Sequence, residues 1–459
     1  MVKPAPVEPP AKGVPLAVTV ASGEHQTFRG MGTSIGNWGH GYERLAPKQR
    51  QLLAKQLWAD LGFPILRLWI NTYDCSPKAG VLDLADFRSR YIDSGVVADA
   101  RANGVTTVLL APEGLPDYLA EPDGDARKLI ADGAEPYADL VASFIIALRD
   151  QAGLTIDATG MQNEPNDKDH FSAAQVVAIV KRLRSKLDAA GMNQVLIVAP
   201  ETSSADQVLY EWLDALHADA EAWKAIAGIS SHSYNMAATS EADRRRFGKD
   251  YWMTEASDNG PEEAGDALRA SSVATRVLND LNHGVTHWIH FLGFETDDPK
   301  DNATRIFSLR SDGTGWTTFR KHAHYRMLSR AFPPGAVLHR CVSSLDGEMT
   351  WTYGKKPRIT AACARLKDGW SVGLSNYTAP TFSDRGDTGT WSIDQEGYAA
   401  VTYAVTVTIA ELSSAGDLPV AVTRCNASGP RPETTATMHS GAVTLDITPL
   451  ETVTLRIVR

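Results

Sequence analysis

Two acidic residues stand out for their surroundings. Glu164 lies in Gly160-Met-Gln-Asn-Glu-Pro-Asn166 and Glu255 in Trp252-Met-Thr-Glu-Ala-Ser257, each just after a short apolar run that reads as a strand. Two carboxyl groups facing one another are the equipment for cleaving an acetal: one gives a proton to the leaving oxygen while the other attacks the sugar carbon. The task requires opposite protonation states. Glu164 is expected to keep its proton, its pKa raised by partial burial and by the negative charge of Glu255. Glu255 is expected to stay ionised beside a cation or hydrogen-bond donors, and Arg67, in Ile-Leu-Arg-Leu-Trp, is the candidate cation. Either glutamate alone reads equally well as a strand-end ion pair. The two together argue for catalysis.

Rival chemistries find little support. There is no HExxH, no Cys/His cluster and no spaced carboxylate cage, so no metal is expected, and no motif calls for a cofactor. No G-x-S-x-G offers a serine nucleophile. Gly30-Met-Gly-Thr-Ser-Ile-Gly36 contains GxG, but no GxGxxG follows and no amphipathic helix begins there, so a dinucleotide site is not expected. Asp297, Asp298 and Asp301 read as a solvated loop, with a calcium site as the sharper alternative. Glu113, Glu201 and Glu295 also fall near strand ends but lack a matching motif. Cys75, Cys341, Cys363 and Cys425 are scattered, with no CxxC pair. They are expected as buried thiols, with a Cys341–Cys363 or Cys341–Cys425 disulfide as the alternative.

The elements that must carry the glutamates repeat a unit of amphipathic helix, glycine and short apolar strand. Gly62 precedes a strand at 65–69, Gly104 one at 105–110, Gly153 one ending at 161, Gly191 one at 195–198 and Gly284 one at 285–292. A glycine there suits the left-handed residue that ends a helix. Helical stripes such as Val176, Val180, Leu183 and Leu187 support the pattern. Adding strands at 28–32, 226–230 and 251–254 makes eight, which implies an α/β fold: a (β/α)₈ TIM barrel over 22–331. After Phe332-Pro-Pro-Gly335 the alternation stops. Strand-like runs at 349–353, 359–365, 370–375, 401–409, 420–425, 442–447 and 452–458 imply an appended all-β sandwich over 332–459, joined by an N-terminal strand at 14–21. In such a barrel the active residues sit at the carboxyl ends of strands, so Glu164 and Glu255 should share one mouth.

Composition narrows the partners. The chain has 459 residues and a net charge of −10, with 45 basic against 55 acidic side chains. That balance argues against nucleic acid, and no apolar run is long enough for a membrane span. An oligo- or polysaccharide partner is compatible. The start lacks an apolar signal core. A secreted or periplasmic protein with its signal removed and a cytoplasmic one both stay open, as does the oligomeric state.

Asn-Glu-Pro after strand four with Glu after strand seven resembles the clan A glycoside hydrolases, which are retaining (β/α)₈ enzymes. Phe28-Arg-Gly-Met-Gly-Thr-Ser-Ile35 and Tyr325 through Phe332-Pro-Pro-Gly335 are most similar to glycoside hydrolase family 30. The third-strand loop, Ala111-Pro-Glu-Gly-Leu-Pro-Asp-Tyr118, departs from that family by lacking its tryptophan. The resemblance implies a retaining hydrolase of a β-linked glycan that needs no cofactor, with Glu164 as acid/base and Glu255 as nucleophile. Plant or microbial wall polysaccharide is the favoured substrate. It further implies that Asn163 donates to the sugar 2-hydroxyl, Arg67 contacts Glu255, Tyr234 bonds the nucleophile and His232 meets a sugar hydroxyl. Trp38, Trp69, Trp288 and Tyr118 are candidate sugar platforms, of which two are expected to line the cleft. The alternatives are a non-catalytic carbohydrate-binding barrel and a furanosidase or transglycosylase of the same clan.

Overall fold

The computed structural model describes residues 6–234, 238–345, 357–385, 391–396 and 398–458. Eight parallel strands close into a barrel: Gly30–Ser34, Ile65–Asn71, Thr107–Glu113, Ala158–Gly160, Leu196–Thr202, Gly228–His232, Asp250–Ala256 and His287–His290. The alternation of side chains along each strand sorts the barrel's two faces. Ile65, Leu109, Ala158, Val198, Trp252 and Ile289 form a small inner cluster, whereas Leu66, Leu68 and Ile70 belong to the larger core beneath the helices. By the same alternation Arg67 and Trp69 continue the inner row upward from Ile65, toward the carboxyl ends.

Helices Ala134–Ala152, Ala173–Ala189, Gln207–Ala218 and Ala267–Asn282 pack around the strands. Val176, Val180, Leu183 and Leu187 are fully buried, as their spacing requires. All five helix-stopping glycines have positive φ; Gly153, for example, caps Ala134–Ala152 at φ 65.

Several strands run further than the sequence indicates. The third ends at Glu113 rather than 110, the fifth at Thr202 rather than 198 and the sixth at His232 rather than 230. The added residues carry side chains to the barrel mouth.

The β-rich part is mostly antiparallel. Its strands include Val337–Ser343, Ile359–Leu366, Gly369–Asn376, Tyr403–Ile409, Asp417–Asn426, Thr434–His439, Ala442–Ile447 and Glu451–Val458. Asp417–Asn426 pairs with both Thr434–His439 and Glu451–Val458, so the sheet closes on itself. The strands at 337–343 and 434–439 are additional to those read from sequence, and the run expected at 349–353 lies outside the described residues. Val14–Thr27 enters this sheet between Val337–Ser343 and Tyr403–Ile409.

Helix Ala267–Asn282 joins the two parts, with the Thr275 and Ser375 hydroxyls 2.9 Å apart. The four cysteines are free and buried. The acidic loop is occupied by its own hydrogen bonds: Asp297 accepts from Asn302 and Ser308, and Asp301 from the backbone of Gly260. Among the described residues no helix is long and apolar enough to cross a membrane.

Candidate active site

Arg67 anchors the mouth. Its guanidinium is fully buried and lies 4.1 Å over the Trp69 ring. One nitrogen donates to Glu255 Oε2 at 2.6 Å, and the other donates to Asn163 Oδ1 at 2.7 Å and reaches Glu201 Oε1 at 3.4 Å. Burial works against the charge, but Glu201 and Glu255 outweigh it and hold the guanidinium pKa above its ordinary value. A planar fork with several fixed donors can hold three side chains in register, which a lysine cannot. The second oxygen of Glu255 accepts from Tyr234 at 2.7 Å. Glu255 therefore keeps one charge-assisted and one neutral hydrogen bond, the surroundings an ionised carboxylate needs.

Glu164 sits differently. Its backbone has φ 45, a left-handed conformation uncommon for a residue with a side chain, held by its N–H donating to the Glu201 carbonyl at 3.1 Å. Burial, followed by the charge of Asp167, pushes its pKa up to about 7, against the pull of Arg67 and Lys168. The expected direction is right but the neighbour differs: Asp167, not Glu255, is the anion responsible. His232 Nδ1 lies 2.8 Å from Glu164 Oε1. Burial pushes that imidazole down to about 3, so it is neutral at working pH. The structure thus corrects the expectation that His232 meets a sugar hydroxyl; it is wholly enclosed and faces Glu164 instead.

Single atoms of Glu164, His232 and Glu255 all lie within 4.8 Å of one another. Among the described residues this is the group of acidic, His or Cys side chains compact enough to hold a metal. Arg67 already supplies its positive charge at 2.6 Å, which suits the donor set to proton and nucleophile chemistry.

Two further carboxyls belong to the mouth, and the sequence reading ranked both low. Burial and the charges of Glu255 and Glu164 push Glu113 up to about 7. Burial likewise raises Glu201 to about 7 against the opposing field of Arg67. A legible signal existed: both end the same tripeptide, Ala111-Pro112-Glu113 and Ala199-Pro200-Glu201, at the ends of strands three and five. Glu295 is elsewhere engaged, paired with Arg305 at 3.2 Å.

Glu201 explains Gly160. A Cβ at that position would lie 1.5 Å from Glu201 Oε2, so only glycine admits the buried carboxyl. Gly160→Ala is expected to push Glu201 off Arg67 and destabilise the fold by about 1–3 kcal/mol, as overpacking does. Denaturant unfolding checks this; an unchanged midpoint would contradict it.

The aromatic candidates divide. Trp38 is 39% exposed and contacts Phe291 at 6.0 Å; Trp69, nearly buried, meets the same ring edge-on at 6.0 Å. Trp288 is corrected to a core residue, fully buried with its indole N–H donating to Asp280 at 2.9 Å. Tyr118 is likewise displaced: its hydroxyl is 2.7 Å from Ser76 and it lines a separate crevice with Leu82 and Pro136.

Comparison with known proteins agrees with this geometry. The model of glycosyl hydrolase family 59 matches residues 99–303, less than half the chain. The sequence motifs resemble family 30, whereas the family model that matches is that of family 59. A search among curated proteins finds no match. Among solved structures, the chain is similar to the catalytic domain of the family 30 xylanase C from Talaromyces cellulolyticus, at TM-score 0.70 and 18% identity over 96% of this chain and 100% of that one. It is also similar to a family 30 subfamily 8 xylanase from Clostridium acetobutylicum, at TM-score 0.66 and 16% identity over 96% and 100%. An endo-β1,6-glucanase follows at TM-score 0.65 and 16% identity over 98% and 94%. At such identities the neighbours establish the barrel with its β-rich companion, and the family match supports a glycosidase acting on carbohydrate.

Proposed function

We propose that the protein is a retaining glycoside hydrolase that cleaves a β-linked glycan by double displacement, with Glu164 as acid/base and Glu255 as nucleophile. The observation that carries the reading is the separation of these groups, with one oxygen of each within 4.8 Å of the other. Retaining enzymes hold their carboxyls about 5–5.5 Å apart, whereas inverting ones leave roughly 6.5–9.5 Å for a water.

In the first step a carboxylate oxygen of Glu255, held by Arg67 and Tyr234, attacks the anomeric carbon directly with no base needed. Glu164 gives its proton to the departing oxygen. A glycosyl ester then joins the sugar to Glu255, and the charge that Arg67 had balanced is spent. Glu164, now anionic, takes a proton from water, which attacks the anomeric carbon and releases Glu255. His232 bears on the same residue throughout. With the histidine neutral, an Nδ1–H donating to Glu164 Oε1 leaves the other oxygen to carry the mobile proton toward the cleft. Asn163 has its amide oxygen engaged by Arg67, which turns its N–H₂ group toward the sugar 2-hydroxyl.

The deciding experiment is an NMR assay of first-formed products across purified β-glycans. Retained anomeric configuration is expected; inversion overturns the mechanism. A pH profile adds a second check. The acid must be protonated, so kcat/KM is expected to fall as pH rises through about 7, the value for Glu164. Glu164→Gln is expected to abolish that limb and to slow cleavage by about 10²- to 10⁴-fold. A variant that retained the limb would assign it to another group.

A further inference from the structure

A cleft of about 360 Å³ opens beside Glu164 and Asn163, and Glu113 forms part of its wall. Among the described residues the Glu113 side chain has no hydrogen-bond or ion-pair partner, and it is half-buried at the end of its strand, facing the cleft. A half-buried carboxyl with no protein partner in the wall of a cleft is free to accept hydrogen bonds from whatever ligand the cleft takes. Ionised, it can only accept hydrogen bonds, through two oxygens on one rigid plane. Neighbouring hydroxyls of a sugar ring are donors of matching spacing.

The charges around the cleft set the sign of what enters. Glu164, Asp125, Asp167 and Asp169 line it together with Glu113. The cations there are Arg127 and Lys168. Arg127 is already committed to the Leu115 carbonyl and to Asp117, and Lys168 stands exposed at the rim. A second carboxylate carried in by a ligand would face several others at short range in a poorly screened space.

Resting on the reading of this cleft as a glycosidase site, we infer that Glu113 is a specificity-determining residue. Its carboxylate accepts hydrogen bonds from hydroxyls of the ring bound beside Glu164, so that this position takes an uncharged sugar and refuses a uronate. The substrate class is thereby a neutral β-glycan.

The test uses Glu255→Gln protein, which holds glycans without turning them over, on an array of neutral β-glucans, β-galactans and xylans beside polygalacturonate and glucuronate-bearing glycans. Binding to neutral members with at least tenfold weaker binding to uronates is expected. In the same background Glu113→Leu is expected to weaken neutral binding by tenfold or more. Glu113→Gln, which keeps the shape and removes the charge, is expected to narrow the gap between neutral and uronate glycans. Circular dichroism confirms that each variant folds. Equal binding of uronates, or neutral binding indifferent to Glu113→Leu, overturns the inference and leaves the glycosidase reading standing. Binding to no glycan overturns both.

Discussion

Glu255→Gln is expected to lower kcat/KM on any glycan the protein cleaves by about 10⁴-fold or more, equivalent to roughly 5.5 kcal/mol of lost transition-state stabilisation. Gln is nearly isosteric: its amide oxygen can still accept from Arg67 while its N–H₂ donates to the Tyr234 hydroxyl oxygen, so the loss isolates the nucleophile from the fold. Steady-state kinetics with thermal unfolding on the same sample separates the two effects. A drop of less than tenfold with an unchanged unfolding midpoint would remove Glu255 from the chemistry. The sugar-binding alternative makes the opposite prediction, with glycan binding present and no turnover in the wild type.

The second large effect is expected at Arg67. Arg67→Met leaves Glu255 and Glu201 without their shared cation in a buried site, where the Arg67 contacts are 2.6 and 3.4 Å. Removing one partner of a buried ion pair costs about 3–5 kcal/mol, because the other charge stays behind. That penalty has a pH sign. Without the guanidinium the carboxyl pKa values in the folded state rise, so folded protein binds protons more tightly than unfolded chain. The stability difference between wild type and variant is therefore expected to be smaller at pH 5 than at pH 8. Activity should also fall, by about 10²- to 10³-fold, as when one preorganised donor is removed. Denaturant unfolding at both pH values tests this. A penalty independent of pH would mean that Arg67 acts through packing on Trp69 rather than through charge. Arg67→Lys is expected to recover stability better than catalysis, since a single ammonium cannot hold Glu255 and Asn163 in one plane.

These effects share one origin. The four mouth carboxyls, Glu113, Glu164, Glu201 and Glu255, surround one guanidinium, and only some of them can be ionised together. Burial is the largest cause that pushes Glu113, Glu164 and Glu201 each up to about 7, and the charge of Glu255 adds to it at Glu113 and Glu201. Position decides which one keeps its charge. Glu255 takes the short Arg67 contact and the Tyr234 hydroxyl, while Glu164 faces Asp167 and a neutral His232.

Much of this was written in the linear chain. Helix-stopping glycines at 62, 104, 153, 191 and 284, together with the apolar stripes before them, mark five of the eight strand–helix units, because each signal acts over a few residues. Asn-Glu-Pro and Met-Thr-Glu at strand ends put two glutamates on one rim for the same reason. What lay across the barrel was decided by the tertiary structure alone. No local pattern says that Arg67 touches Glu201 as well as Glu255, that His232 turns to Glu164, or that Trp288 spends its indole on Asp280. The Arg67 and His232 contacts join segments distant in sequence and depend on how the closed sheet is staggered, whereas the Trp288 contact depends on how the preceding helix docks. The partners that set Glu164 apart from Glu255, His232 for the one and Arg67 with Tyr234 for the other, meet them only once the barrel has closed.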